Sequence, residues 1–369
     1  MDIQTAKRMG AELAQKLPWQ EVADSPAVRY YTDWTKFEGF RPLVEKPRVE
    51  AKAAPCEVVV VDGALAGFGG CDGVEVRLGR EVFRRLEVSS KILALHASAI
   101  GDVVEVRARG KFQPLVIRVA ARAEGRHVAN HLLLDVDGEG TVAVYATSAE
   151  KTMHTVVVEG SVRGAVEYLL ASNAYGPQYV HSALAVETSV SARPLVLGGV
   201  MNAVREEYLI GEGAVADVIG LELGFGESRI DHVVSVINDA PRGRGYARLY
   251  AVAAEKSFVT QRAVGRITKR GVWSDSAVEG VVYIAGEEAV ANTQPVILVE
   301  TGEVSGARHS AADASLDEDK EFFLRARGIR REDLPKLIAV SLVDQYLASL
   351  SDKAKPFAEE VLTPVLQRF

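Results

Sequence analysis

Few side chains in this sequence are histidine or cysteine, the usual nitrogen and sulfur ligands of metals, and most of those are histidines. There are seven, with two cysteines. His309 stands out by its setting, "GARHSAADASLDEDKEFFLRARGI" over 306–329, between a Val- and Gly-rich region and the start of a helix. A neutral imidazole is a competent ligand for ferrous iron, so His309 is the first candidate metal ligand. Its other reading is a hydrogen-bonded histidine at a domain joint. His127 and His131 stand at i and i+4, a spacing that aims two ligands at one ion when the backbone is helical. Their context, "GRHVANHLLLDV", reads as the beginning of a strand, so no metal is expected there. Asp231 and His232 place a carboxylate beside an imidazole. Adjacent residues on a strand point to opposite faces, so the expectation is a solvent-facing pair. Cys56 and Cys71 lie outside any Cys-x-x-Cys pattern, with no histidine between them. That spacing fails the test for a zinc site and offers no disulfide framework. The two read as ordinary half-buried thiols.

Other motifs are missing. "FGGCDG" and "PRGRG" are Gly-rich but lack the phosphate-binding pattern and read as turns. There is no nucleophile elbow, no His-Glu-x-x-His and no paired-carboxylate motif. The formal charge of −7 argues against nucleic acid as the main partner. No apolar run approaches the ~18 residues of a membrane-spanning helix. The opening "MDIQTAKRMGAELAQKL" is an amphipathic helix with no apolar core of a signal peptide. The expectation is a cytoplasmic protein that does not engage membranes.

The elements that would position His309 follow from composition. Of 369 residues, 48% are apolar and 25% charged, enough for a sizeable core. Residues 1–50 read as an N-terminal helical segment and the linker "SPAVRYYTDWTKFEGFRPLVEKP". Residues 51–310 are dense in Val and Gly, with period-2 runs such as "VVEVRARG" and "HTVVVEG". Gly140, Gly164, Thr188 and Gly213 begin similar triplets at steps of 24 or 25 residues, each flanked by apolar runs. A strand-turn-strand unit repeating at that period predicts a mainly β fold, a β-solenoid whose rungs bury side chains against one another. An evenly spaced β-sandwich is the alternative. An open terminal rung would expose unpaired backbone, and the helical segments at both ends of the chain are suited to cover it.

Residues 311–369 read as a C-terminal helical domain. Ser315 is the expected N-cap of a first helix, with Asp317, Glu318 and Asp319 in its first turn and Gly328 as its stop. A second helix begins near Asp333 and Pro335, and a third is "KAKPFAEEVLTPVLQRF".

The stretch from Arg308 to Ile329 resembles the SufB/SufD family of iron–sulfur cluster assembly scaffolds. The shared pattern is His309, the small residues Ser310-Ala311-Ala312, Leu316-Asp317-Glu318, Phe322-Phe323-Leu324, then Arg327-Gly328-Ile329. "EEYLIGEGAVADVIGLELGFGESRIDHVVSVIND", "SFVTQRAVGRITKRG" and "ANTQPVILVETGEVSGARH" are similar to upstream family segments. The resemblance is strongest over 200–369, weaker over 90–200 and slight before that. It implies a right-handed parallel β-helix flanked by α-helical N- and C-terminal segments. It also implies a non-enzymatic scaffold that pairs with a SufB-type scaffold or with itself. An ABC-type ATPase of the SufC kind would dock on the C-terminal helices, with Phe322, Phe323, Leu324, Arg327, Gly328 and Ile329 as the docking candidates.

Within the family the chain looks closer to SufD. SufB proteins follow the histidine with a glutamate, where this chain has Ser310, and carry a cysteine upstream, where no cysteine follows Cys71. Many SufD proteins place a cysteine two residues before the histidine, at the position of Ala307. Iron–sulfur clusters are held mainly by thiolates, so the isolated subunit is expected to bind no cofactor tightly. Iron or a nascent cluster would be held by His309 in the assembled complex. The readings from other classes are a carbohydrate-active β-helix enzyme and a degenerate homodimeric paralogue with only a structural or regulatory role.

Overall fold

A computed structural model describes residues 1–19, 31–43 and 50–367 of the chain; residues 25–30 and 44–47 of the linker, and the last two residues of the third C-terminal helical segment, lie outside these. The strands from Glu57 to Asp313 form a solenoid with two parallel ladders facing one another across a common interior. The first ladder stacks Pro177–Val186, Met201–Ile210, Arg229–Asn238 and Phe258–Ile267 in register. The second stacks Val215–Gly224, Arg244–Ala253, Asp275–Ile284 and Gly306–Asp313. Two longer strands, Arg126–Ser148 and Met153–Ala174, run through both ladders and pair along their whole length. They turn the corner where Gly138 partners Gly164. Gly164 has φ +121, and a Cβ there would stand 1.9 Å from the Gly138 carbonyl, so the corner requires glycine.

The solenoid and its flanking helices are as the sequence predicted; the repeat column was partly out of step. Gly138, not Gly140, partners Gly164, and Ala214, not Gly213, stands in line with Thr188. Gln178 pairs with Asn202, a step of 24, but Val259 pairs with Ala291, a step of 32. The ladder fixes strand length while turns lengthen freely toward the C-terminus.

Three apolar layers result. The interior holds Val, Leu and Ala from both ladders, among them Val156, Val180, Val204, Val218 and Val278. Helix α1 (Ile3–Lys16), capped by Asp2, crosses helix α2 (Lys91–Ala99), capped by Ser90. The crossing is close because Gly10 lies against Ala97. Together they cover the outer side of the first ladder through Ile92, Leu133, Val157, Tyr179 and Met201.

Helices α4 (Leu334–Ala348) and α5 (Lys355–Leu366) cover the outer side of the second ladder, burying Leu342, Tyr346, Val361 and Leu362 on Leu169, Leu221 and Tyr250. Each such side chain contributes about 1.5–3 kcal/mol on burial. Polar latches fix the placement. Arg193 donates to the Ser349 carbonyl, Tyr346 donates to the Arg193 carbonyl, and Glu167 accepts from the Ser351 amide. The helices therefore cover the flat sides of the solenoid and leave its C-terminal end open, against the expectation that they close it. Flat ladders rich in outward Leu and Tyr offer more apolar area than a rung end.

Helix α3 (Glu318–Ala326) buries no residue. Its N-cap is Asp317, which accepts from the Lys320 amide, rather than Ser315, which is held by the Asp313 carboxylate. At its other end Gly328 (φ +88) and Ile329 donate back to Arg325 and Leu324, a Schellman stop.

The cysteines are the clearest departure. Cys56 and Cys71 are joined in a disulfide, where ordinary thiols were expected. The strands Glu57–Val61 and Ala64–Phe68 form an antiparallel hairpin. That return brings the two ends together, with Cα atoms 4.5 Å apart. Linear spacing is blind to such a return.

Candidate functional site

His309 lies on the last strand of the second ladder, paired with Val278, which pairs with Ala247. Both neighbours belong to the solenoid interior, and residues paired in a parallel ladder share a face. His309 is thus on the interior-facing row of the final rung, exposed because no rung follows. Its Nδ1 lies 3.0 Å from the Pro295 carbonyl. A carbonyl only accepts, so Nδ1 carries a proton, and a neutral ring in this tautomer has its lone pair on Nε2. Nε2 has no partner among the described residues. Metal-ligating histidines commonly donate their other N–H to a carbonyl in this way, as do ordinary hydrogen-bonded histidines. The flanking Ala307 and Ser310 are exposed and supply no thiolate or carboxylate. Among the described residues, no three His, Cys, Asp or Glu side chains are grouped to hold a metal ion.

The last two rungs expose several apolar side chains, Ile284, Val290, Leu298 and Val299. The strand Gly306–Asp313 offers an open backbone edge eight residues long. His309 itself helps line a groove of about 600 Å³ along the second ladder, with Asp217, Tyr246, Arg248, Glu279 and Arg308. Its two carboxylates are engaged: Asp217 by Arg193 at 2.9 Å and Glu279 by Arg248 at 2.6 Å.

The docking candidates lie on α3 and its stop. Phe322 and Phe323 are 74% and 53% exposed, and Leu337 and Val340 on α4 are exposed as well. Leu324 and Ile329 are half-buried and take part in the backbone hydrogen bond that ends α3. Arg327 lies over the Phe323 ring at 3.4 Å from its centroid. Gly328 supplies the left-handed turn.

The most perturbed groups are elsewhere, and sequence reading missed them. His232 is fully buried in the interior, not solvent-facing. One nitrogen meets Glu206 at 3.0 Å, the other meets Glu222, and Tyr208 donates to Glu206. Burial opposes its charge, but the two carboxylates outweigh it and push its pKa up to about 9. Glu222 is also raised, by burial. Asp231 points to the opposite face, as alternation requires, and is buried there against Arg205 at 2.6 Å and Thr32. His127 and His131 lie under α2. His131 bridges His96 at 3.1 Å and Glu159 at 2.9 Å, while His127 and His96 share the Thr155 hydroxyl. Burial lowers the pKa of His127 to about 3 and drives that of His96 well down, helped by neighbouring imidazoles. His127 and His96 are thus held neutral, and all three imidazoles are hydrogen-bonded packing groups. The usable sequence signal was Glu206 and Glu222 sharing the inward alternation with His232.

The model of the SUF system FeS cluster assembly SufBD core domain matches residues 117–341. The chain belongs to the SufBD family. The match runs from the second ladder into α4, so it takes in His309 and α3 and leaves out α1, α2 and the disulfide. The chain is 23% identical over 130 residues to the iron–sulfur cluster assembly protein SufD of Bacillus subtilis, covering 35% of this chain and 30% of that one. It is 26% identical over 183 residues to a SufBD family protein of Pyrococcus horikoshii, covering 47% and 40%. It is 32% identical over 79 residues to one from Mycobacterium tuberculosis, covering 21% and 19%. The matched stretches thus span less than half of these relatives. No described helix is long and apolar enough to cross a membrane.

Proposed function

We propose that this chain is a SufD-like, non-enzymatic subunit of a cytoplasmic SUF iron–sulfur assembly complex. It pairs through the open end of its solenoid with a SufB-type scaffold or a second copy, and it docks a SufC-type ATPase through α3 and α4. The observation that carries the pairing is the bare terminal rung. An unpaired strand edge with exposed Ile284, Val290, Leu298 and Val299 is a surface suited to strand addition. The docking reading is supported by the exposed rings of Phe322 and Phe323 on a helix that buries no residue.

Iron is cargo in this reading. His309 offers Nε2 at the mouth of the interior, and the thiolate and carboxylate ligands come from the partner. One imidazole cannot hold a cluster by itself, so the isolated subunit binds none tightly. The engaged state of Asp217 and Glu279 leaves no acid–base pair poised in the groove, so a carbohydrate-active role finds no support there.

His309→Ala tests the ligand role. The expected result is lower iron content in the assembled complex with the subunit's melting temperature unchanged, because the side chain is exposed. Unchanged iron would make His309 a structural residue.

A further inference from the structure

We infer that the Cys56–Cys71 disulfide is a reducible clasp on the N-terminal end of the solenoid, open to thiol–disulfide exchange with a dithiol reductant while the chain stays folded. Three observations place it. First, it lies at the boundary of the structure's first rung. The strand Glu57–Val61 is the outer parallel partner of Leu115–Ala121, and the hairpin strand Ala64–Phe68 folds over it. Second, the clasped segment plugs the interior. Leu65 and Phe68 pack against the interior core, and Val58 and Val60 are buried within it; Val74 and Val76 on the strand just after the bridge pack there too. Third, the bridge is within reach of solvent. Both cysteines are half-buried, and Ala54, Pro55, Gly69, Gly70, Asp72 and Gly73 around them are exposed.

Backbone bonds also hold this cap at its ends: Gly69 donates to the Glu57 carbonyl, Val116 to the Cys56 carbonyl and Arg109 to the Gly73 carbonyl. Cys56 donates to the Gly70 carbonyl and Val74 to the Cys71 carbonyl. Cys56 sits in the left-handed region at φ +56, which a non-glycine residue adopts at a cost. The same hairpin anchors more than itself. Glu57 holds Arg118 at 2.6 Å, and Arg118 reaches Glu360 on α5 at 2.9 Å. A cap that loosens therefore loosens next to α5, which packs with α4 on the outer side of the second ladder.

The exchange step balances simply. A thiolate of the dithiol attacks one cystine sulfur, and the other cysteine leaves as a thiolate, giving a mixed disulfide. The reductant's second thiol displaces the remaining cysteine. Two electrons pass to the cysteines, the reductant becomes a disulfide, and its two protons end on Cys56 and Cys71.

The test uses the full chain alone, without partner or ATPase, so it stands or falls apart from the scaffold reading. The folded chain is treated with dithiothreitol, its thiols are alkylated without denaturant, and hydrogen exchange is compared with the oxidised chain and with the Cys56→Ser/Cys71→Ser variant. The expected result is alkylation of both cysteines in the folded state. Exchange over 57–78 then rises by about a hundredfold, from the lost loop constraint, while 126–299 is unchanged. The double variant matches the reduced chain. Thiols that become accessible only after denaturation, or cap exchange that is the same in both redox states, would make the bridge a passive staple and overturn the inference.

Discussion

His232→Leu should be among the most damaging single substitutions in the interior. The imidazolium sits between Glu206 and Glu222, with all three fully buried. Removing it leaves two carboxylates with no cation, and breaking a buried ion pair from one side typically costs about 3–5 kcal/mol. The pH dependence separates this from a mere packing defect. The folded-state pKa of His232 is about 9 against an ordinary 6.5, worth roughly 3 kcal/mol at 1.36 kcal/mol per unit. Because the folded value lies above the unfolded one, this stabilisation is fully present below about pH 6.5 and is lost as pH rises through about 9. Glu222, also raised, acts in the same direction. Guanidinium unfolding followed by circular dichroism from pH 6 to 10 reads both quantities. Wild type should lose stability steadily on the alkaline side. The variant should be several kcal/mol weaker at pH 6.5 and lack the part of the alkaline loss centred near pH 9, which belongs to the imidazolium; the loss from its unpaired, burial-raised carboxylates falls at lower pH. A variant within ~0.5 kcal/mol of wild type at pH 6.5, or one with the same alkaline slope, would refute the buried imidazolium.

Three further variants probe the C-terminal helices and the solenoid surface. Arg193→Ala removes the guanidinium that holds the Ser349 carbonyl, the Asp217 carbonyl and the Asp217 carboxylate. Charged hydrogen bonds contribute about 1.5–3 kcal/mol each, so α4 and α5 should become sensitive to limited proteolysis well below the melting temperature of the strands. The Arg163–Glu187 pair is exposed on both sides, and Arg163→Ala should change stability by less than about 1 kcal/mol. Phe322→Glu with Phe323→Glu should abolish capture of an ABC-type ATPase while leaving the melting temperature within a degree or two, since neither ring is buried. Capture at wild-type strength would move the docking surface elsewhere.

The solenoid was legible because its signal is repeated. Period-2 runs and a recurring rung step survive small errors of register, as the displaced Gly140 and Gly213 show. The motif around His309 was legible because its residues are local. What stayed hidden depends on distant chain segments meeting. The disulfide needs the hairpin return, and the His232 cluster needs Glu222 to face it across the interior from the other ladder. Whether a terminal helix covers an end or a side is decided by where apolar area is left over. In this chain that is the outer side of the second ladder, through Leu169, Leu221 and Tyr250.

The scaffold role is tested most directly by native mass spectrometry of the chain purified from its own cell under gentle conditions. A SufD-like subunit predicts a complex that contains an ABC-type ATPase and a second solenoid, either another scaffold or another copy. A lone monomer with neither bound, at concentrations where the chain is abundant, would contradict it.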